Sequence, residues 1–170
     1  MTAAERTRNQ IVFTSYQHNR NPFVDHAEFA DMVFSGASPL DAWRGVHFTA
    51  AELDNPALSG PNADLDRDGF ATLLEYLFGT DPRQPGAAPP LTASLVPGAP
   101  EGPTLVLSFP HNRFATDVAI YYEASEDLTT WVLVGPNSGT VTVTDFETEQ
   151  LTVRFPAPAV PFFVRVRVEQ

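Results

Sequence analysis

The chain has 170 residues, a formal net charge of -11, a pI near 4.6, 43% hydrophobic residues and no cysteine. That much apolar material supports a packed core and excludes wholesale disorder, while a surface this acidic repels phosphate backbones and suits cations. The absence of cysteine excludes a disulfide, a thiolate zinc site and a thiol nucleophile, and no run of about 18 apolar residues exists to span a membrane.

Sixteen prolines and ten glycines cluster between periodic segments, which predicts short modules joined by punctuated linkers. Thr2-Ala-Ala-Glu5 is a capping box that satisfies the free amides at a helix start. The helix is expected to run to about His18, with Ile11, Val12, Ser15 and Tyr16 on a partly apolar face. Pro22 breaks it, because the residue before a proline avoids helical geometry. Asp25-x-x-Glu28 is a second capping box, opening a short helix with Phe29, Met32 and Val33 on one side. Between the helices, His18, Asn19, Arg20, Asn21, Asp25 and His26 form a polar cluster. Such residues brace turns by local hydrogen bonds, with Arg20 and Asp25 paired. His18, Arg20 and Asn21 are also candidate phosphate contacts.

The run Glu5-Arg-Thr-Arg-Asn-Gln10, followed by Tyr16-Gln-His-Asn-Arg-Asn-Pro-Phe-Val-Asp-His26, resembles the C-terminal end of the endonuclease I family. Members of that family commonly end with an arginine- and asparagine-bearing helix, an Asn-Arg-Asn-Pro-Phe turn, an aspartate and a histidine. The resemblance implies an exported, non-specific nuclease with a ββα-metal site, where a histidine activates water and magnesium steadies the leaving oxygen. In the family those groups lie upstream of the matched segment, so no catalytic residue is carried onto this chain. The resemblance thus implies a fragment whose partner is an upstream nuclease domain, which would hold the magnesium and the nucleic acid. The N-terminus MTAAERTRNQ has no apolar signal stretch, so a secreted, periplasmic or cell-surface location requires an export signal outside this chain.

After a linker at 35–39, residues 40–48 read as a helix with Leu40, Trp43 and His47 on one face, His47 as packing rather than ligand. Thr49-x-x-Glu52 caps a brief helix that stops near Asn55-Pro56. The next segment is Asp64-Leu-Asp66-Arg-Asp68-Gly69-Phe70-Ala-Thr72-Leu-Leu-Glu75. Calcium is a hard cation that takes six to eight oxygens, and this spacing fills every position of an EF-hand loop. Asp64, Asp66 and Asp68 supply side-chain oxygens, Gly69 the sharp bend, Phe70 a carbonyl, Thr72 a direct or water-borne ligand, and Glu75 two oxygens. Carboxylates held this close repel one another without a cation. The bland alternative is a solvated acidic turn that caps a helix. The helix that follows carries Leu73, Leu74, Leu77 and Phe78 and stops at Gly79.

Beyond the proline-rich linker 85–90, residues 104–109, 118–123, 131–134, 140–144, 151–155 and 162–168 are β-branched and aromatic, which predicts an antiparallel sandwich of about 80 residues. Trp131, Tyr121 and Tyr122 are candidate sugar-stacking residues or core, and His111 falls in a predicted loop with no partner. Trp43, His47-Phe-Thr-Ala-Ala-Glu-Leu53, the acidic loop and Leu74-Glu-Tyr-Leu-Phe-Gly-Thr-Asp-Pro82 look like a module at the ends of exported bacterial proteins. That module is similar to thrombospondin type 3 and dockerin-like calcium repeats, although dockerins usually carry two loops. Tyr122-Glu-Ala-Ser-Glu-Asp-Leu-Thr-Thr-Trp131 resembles a phrase of the sandwich that follows it. The resemblance implies an accessory role such as attachment.

The expected fold is therefore modular α+β: a helical nuclease tail at 1–35, a helical segment with an EF-hand-like calcium loop at 40–83, and an Ig-like or fibronectin-like sandwich at 91–170. The expected function is the non-catalytic C-terminal part of an endonuclease-I-like nuclease. The alternative is a stand-alone calcium-stabilised module that binds polysaccharide, a cell-surface partner or another protein.

Overall fold

The computed structural model describes residues 2–17, 22–25, 28–86, 90–98, 102–136, 138–145, 147–157 and 163–170. The chain is α+β, with seven short α-helices followed by seven strands among the described residues. Helix α1 (Ala3–Val12) opens on the expected capping box: Thr2 Oγ1 accepts the Glu5 N–H at 3.3 Å and Glu5 Oε2 accepts the Thr2 N–H at 2.7 Å. From Phe13 to Gln17 the expected α-helix is instead a π-helical turn, where Thr14 Oγ1 donates to Gln10 O at 2.9 Å. A hydroxyl that engages a carbonyl of the preceding turn competes with the regular ladder. Helices α2 (Pro22–Asp25) and α3 (Glu28–Ser35) follow. Phe34 is 84% exposed and Val33 63%, so neither of these two side chains is buried.

Helix α4 (Pro39–His47) starts one residue earlier than its apolar spacing suggests, because Ser38 caps it and Pro39 suits the first helical position. Thr49 and Glu52 form the expected box on α5 (Ala50–Leu53). Pro56, read as a stop, begins a further turn, α6 (Pro56–Ser59), capped by Asn55 Oδ1 on the Ala57 N–H at 3.1 Å. Helix α7 (Thr72–Phe78) ends where Gly79 enters the left-handed region at φ 73, and Gly79 N–H and Thr80 N–H both donate to Glu75 O.

The strands are β1 (Thr92–Val96), β2 (Thr104–Asn112), β3 (Ala119–Ser125), β4 (Val132–Leu133), β5 (Ser138–Val143), β6 (Thr148–Pro156) and β7 (Phe163–Glu169). They form two antiparallel sheets, a four-stranded one ordered β1-β2-β6-β5 and a three-stranded one ordered β4-β3-β7. Strand β2 runs past Phe109 through Pro110 and His111, which the sequence reading placed in a loop. Its pairing with β1 ends at Ser108 while pairing with β6 continues to Asn112. Pro110 therefore lies where only one neighbour remains, and an edge tolerates a missing N–H.

Inward-facing residues of both sheets meet in shared apolar clusters. Leu107, Val153 and Phe155 of the larger sheet pack with Tyr122, Val164 and Val166 of the smaller. Helix α7 plugs one end of this core: Leu77 and Phe78 cluster with Phe109, Ile120, Leu151 and Val168, while Tyr76 clusters with Leu40 and Ala115. Each such side chain gains about 1.5–3 kcal/mol by leaving water. One short helix thus joins the segment before the sheets to the sheets themselves.

Candidate metal centre

Loop 64–75 leads straight into α7, so its geometry is tied to the core. Before it, Arg44 Nε donates to Ser59 O at 2.8 Å and Ser59 Oγ to Glu52 O at 2.9 Å, which fixes the approach. Across its base, Ala63 O accepts both the N–H and the hydroxyl of Thr72, at 2.7 and 2.9 Å, and Leu73 N–H donates to Pro61 O at 3.0 Å. The two ends of the loop are therefore stapled together by backbone. Gly69 bends at φ 97, which a side chain would resist, and Arg67 also turns left-handed at φ 65.

The bends aim the aspartates at one another. Asp64 Oδ1 accepts the Arg67 N–H at 2.7 Å and Asp64 Oδ2 the Gly69 N–H at 3.0 Å. Asp66 Oδ1 accepts the Asp68 N–H at 3.2 Å, and Asp68 Oδ1 the Phe70 N–H at 2.8 Å. One carboxylate oxygen from each of Asp64, Asp66 and Asp68 lies within 4.8 Å of the others, a group able to hold a metal ion. Glu75 stands in the first turn of α7 and is only 1% exposed. Its Oε2, like Asp66 Oδ2, is buried with no hydrogen-bond partner.

An orphaned carboxylate oxygen in a dry site is costly. Burial first, then the charges of Asp66, Asp68, Asp64 and Asp81, push the Glu75 carboxyl up to about 8. Burial also raises Asp66, against the lowering effect of its bond from the Asp68 N–H. A hard cation would meet the unused oxygens and cancel the repulsion, so the donors present suit one. Thr72 is fully buried and its hydroxyl proton is given to Ala63 O, which commits that group to the loop's base.

Other candidates resolve differently. His18, Arg20 and Asn21, the candidate phosphate contacts, lie outside the described residues. His47 stacks on Trp43 with ring centroids 4.3 Å apart, as packing requires. His111 is not partnerless: its Nδ1 lies 2.9 Å from Glu149 Oε1 across the β2–β6 pair. Tyr122 packs in the core against Phe155, at 5.2 Å between centroids. Trp131 and Tyr121 each carry an arginine over one ring face, Arg165 at 4.1 Å and Arg167 at 4.5 Å, and both arginines bond Glu123. Those two ring faces are already covered, which weakens them as sugar platforms. Two contributors were invisible to the residue pattern because both act through backbone: the Ala63 carbonyl, and the Gly86 N–H, which donates to Asp68 Oδ2 at 2.7 Å.

No helix among the described residues is long and apolar enough to cross a membrane. No family model and no solved structure matches the chain. A 30-residue stretch, 18% of the chain, is 60% identical to an extracellular ribonuclease of Bacillus subtilis (strain 168). A stretch of the same length is 57% identical to an extracellular ribonuclease of Bacillus amyloliquefaciens. The chain spans 10% of the length of each of these relatives, and a short segment of it is similar to part of extracellular ribonucleases.

Proposed function

We propose that loop 64–75 is an EF-hand-like site that holds a structural calcium ion and clasps the helical segment to an accessory Ig-like or fibronectin-like sandwich. The observation that carries this reading is the grouping of Asp64, Asp66 and Asp68 oxygens on a loop whose twelfth residue, Glu75, keeps a buried carboxylate oxygen with no hydrogen-bond partner. Calcium takes flexible sets of oxygens, including two from one carboxylate, and so fits this set better than magnesium, which keeps several waters. The site stands on the helix that plugs the sheets, so the ion acts on fold rather than on a substrate. The sandwich assignment rests on the strand orders β1-β2-β6-β5 and β4-β3-β7.

In the same reading, residues 1–35 are the C-terminal tail of an exported endonuclease-I-like nuclease, and this chain is its non-catalytic part. The Asn19-Arg-Asn-Pro-Phe23 sequence and the likeness of a short segment to extracellular ribonucleases support this. The upstream domain would supply the catalytic histidine, the magnesium and the nucleic-acid contacts. A stand-alone adhesion or carbohydrate-binding module is the competing reading, and the covered faces of Trp131 and Tyr121 disfavour its sugar-binding form.

Incubating the purified chain with plasmid DNA and magnesium should leave the DNA intact. Degradation would place catalysis in this chain and overturn the assignment. For the clasp, protease cutting at 61–67 should rise when calcium is chelated and fall when it is restored. Cutting that ignores calcium contradicts a structural ion.

A further inference from the structure

Among the three loop aspartates, Asp68 alone has a described hydrogen bond to a group outside the loop. Both oxygens of Asp64 accept N–H groups of residues 67 and 69, and Asp66 Oδ1 accepts from residue 68. Asp68 Oδ1 likewise stays local, but Asp68 Oδ2 accepts the Gly86 N–H at 2.7 Å, eighteen residues along the chain. That N–H is presented by a fixed strap. Pro82 is fully buried, Arg83 Nε donates to His47 O at 2.7 Å, and Arg83 also pairs with Glu52 and lies over the Phe48 ring at 5.8 Å. The strap 81–86 is therefore anchored on α4 and α5 before it reaches the loop.

Resting on the calcium reading of loop 64–75, we infer that the Gly86 N–H is a positioning group for the ligand Asp68, so that the strap leading to β1 sets the affinity of the ion site. With Phe70 N–H on Oδ1 and Gly86 N–H on Oδ2, the Asp68 carboxylate keeps a single orientation, and each oxygen retains a lone pair for an ion. Partners of this outer kind commonly change metal affinity by roughly 10–100-fold when removed. By reciprocity, the ion also holds the strap down, because coupling between two sites acts equally in both directions.

The test uses the full chain, stripped with a chelator and titrated with calcium against a chromophoric competitor. Gly86→Pro, which has no N–H, should bind about 10–100-fold more weakly than the wild type. Gly86→Ala restores the N–H and should recover most of that loss. Wild-type chain that binds no calcium refutes the site itself. Wild type and Gly86→Pro binding equally well leaves the site standing and overturns the role of Gly86. Should Gly86→Pro fail to fold, hydrogen exchange of the wild type decides: the Gly86 amide must exchange at least about ten times more slowly with calcium, and an unchanged rate overturns the inference.

Discussion

Helices α1 and α7 differ in what holds them. The ten residues of α1 form a full capping box, yet only Asn9 among them is buried. The seven residues of α7 have no side-chain cap at Ala71, yet Thr72, Glu75, Tyr76, Leu77 and Phe78 are all buried. Local signals start a helix, but short helices are marginal in water without an apolar face to bury. The capped helix is the replaceable one, and the uncapped helix carries both the core and the candidate ion site. Core packing and the candidate ion site therefore converge on one seven-residue segment.

The largest test of that contrast is truncation on each helix. Leu77 is fully buried, so Leu77→Ala should lower the unfolding free energy by about 2–5 kcal/mol in a denaturant titration. Ile11→Ala should change it by no more than about 0.5 kcal/mol, since Ile11 is 52% exposed. Equal losses would erase the distinction between the two helices.

The next effect is one of pH and metal. The Glu75 carboxyl is raised to about 8 in the fold, against its ordinary value of 4.5. A raised acid contributes stability that is present below the unfolded value and is lost as pH rises through the folded one. The melting temperature of the chelator-treated chain should therefore fall between pH 4.5 and 8, and calcium should restore it at the upper end. Asp66, also raised, acts in the same direction. Glu75→Gln should flatten the metal-free profile, because an amide carries no charge to repel.

A smaller effect belongs to Tyr76, whose hydroxyl lies 3.0 Å from Phe114 O and 2.8 Å from Asp117 Oδ1. Tyr76→Phe should cost about 1–3 kcal/mol by stranding those acceptors, measured by the same titration. Smallest of all, Thr2→Ala should fray α1, increasing exchange of its first amides while leaving the global transition in place.

The loop was legible in the sequence because its chemistry is local: the aspartate spacing, Gly69 and Glu75 all lie within twelve consecutive residues. Thr2-x-x-Glu5 and Thr49-x-x-Glu52 were legible for the same reason, as each box closes over three residues. His111 was misread because at that point β2 is paired with β6 alone, through Glu149, 38 residues away. Pro56 was misread as a stop although Asn55 before it is a cap. The Gly86 N–H and the Ala63 carbonyl left no trace, since any residue type but proline offers the former and every residue the latter. Trp131 and Tyr121 read as sugar-stacking residues or core, and the arginines over them come from β7, which pairs with β3 across a long stretch of chain. Apart from the turn at Pro56, what escaped was set by distant partners or by backbone.

Isothermal titration calorimetry of the chelator-stripped chain reads the proposed anchoring of an ion by α7 through Glu75. One calcium ion per chain, with affinity lost or at least about tenfold weaker in Glu75→Gln, is the predicted result. No binding heat, or equal affinity in wild type and Glu75→Gln, would contradict the account.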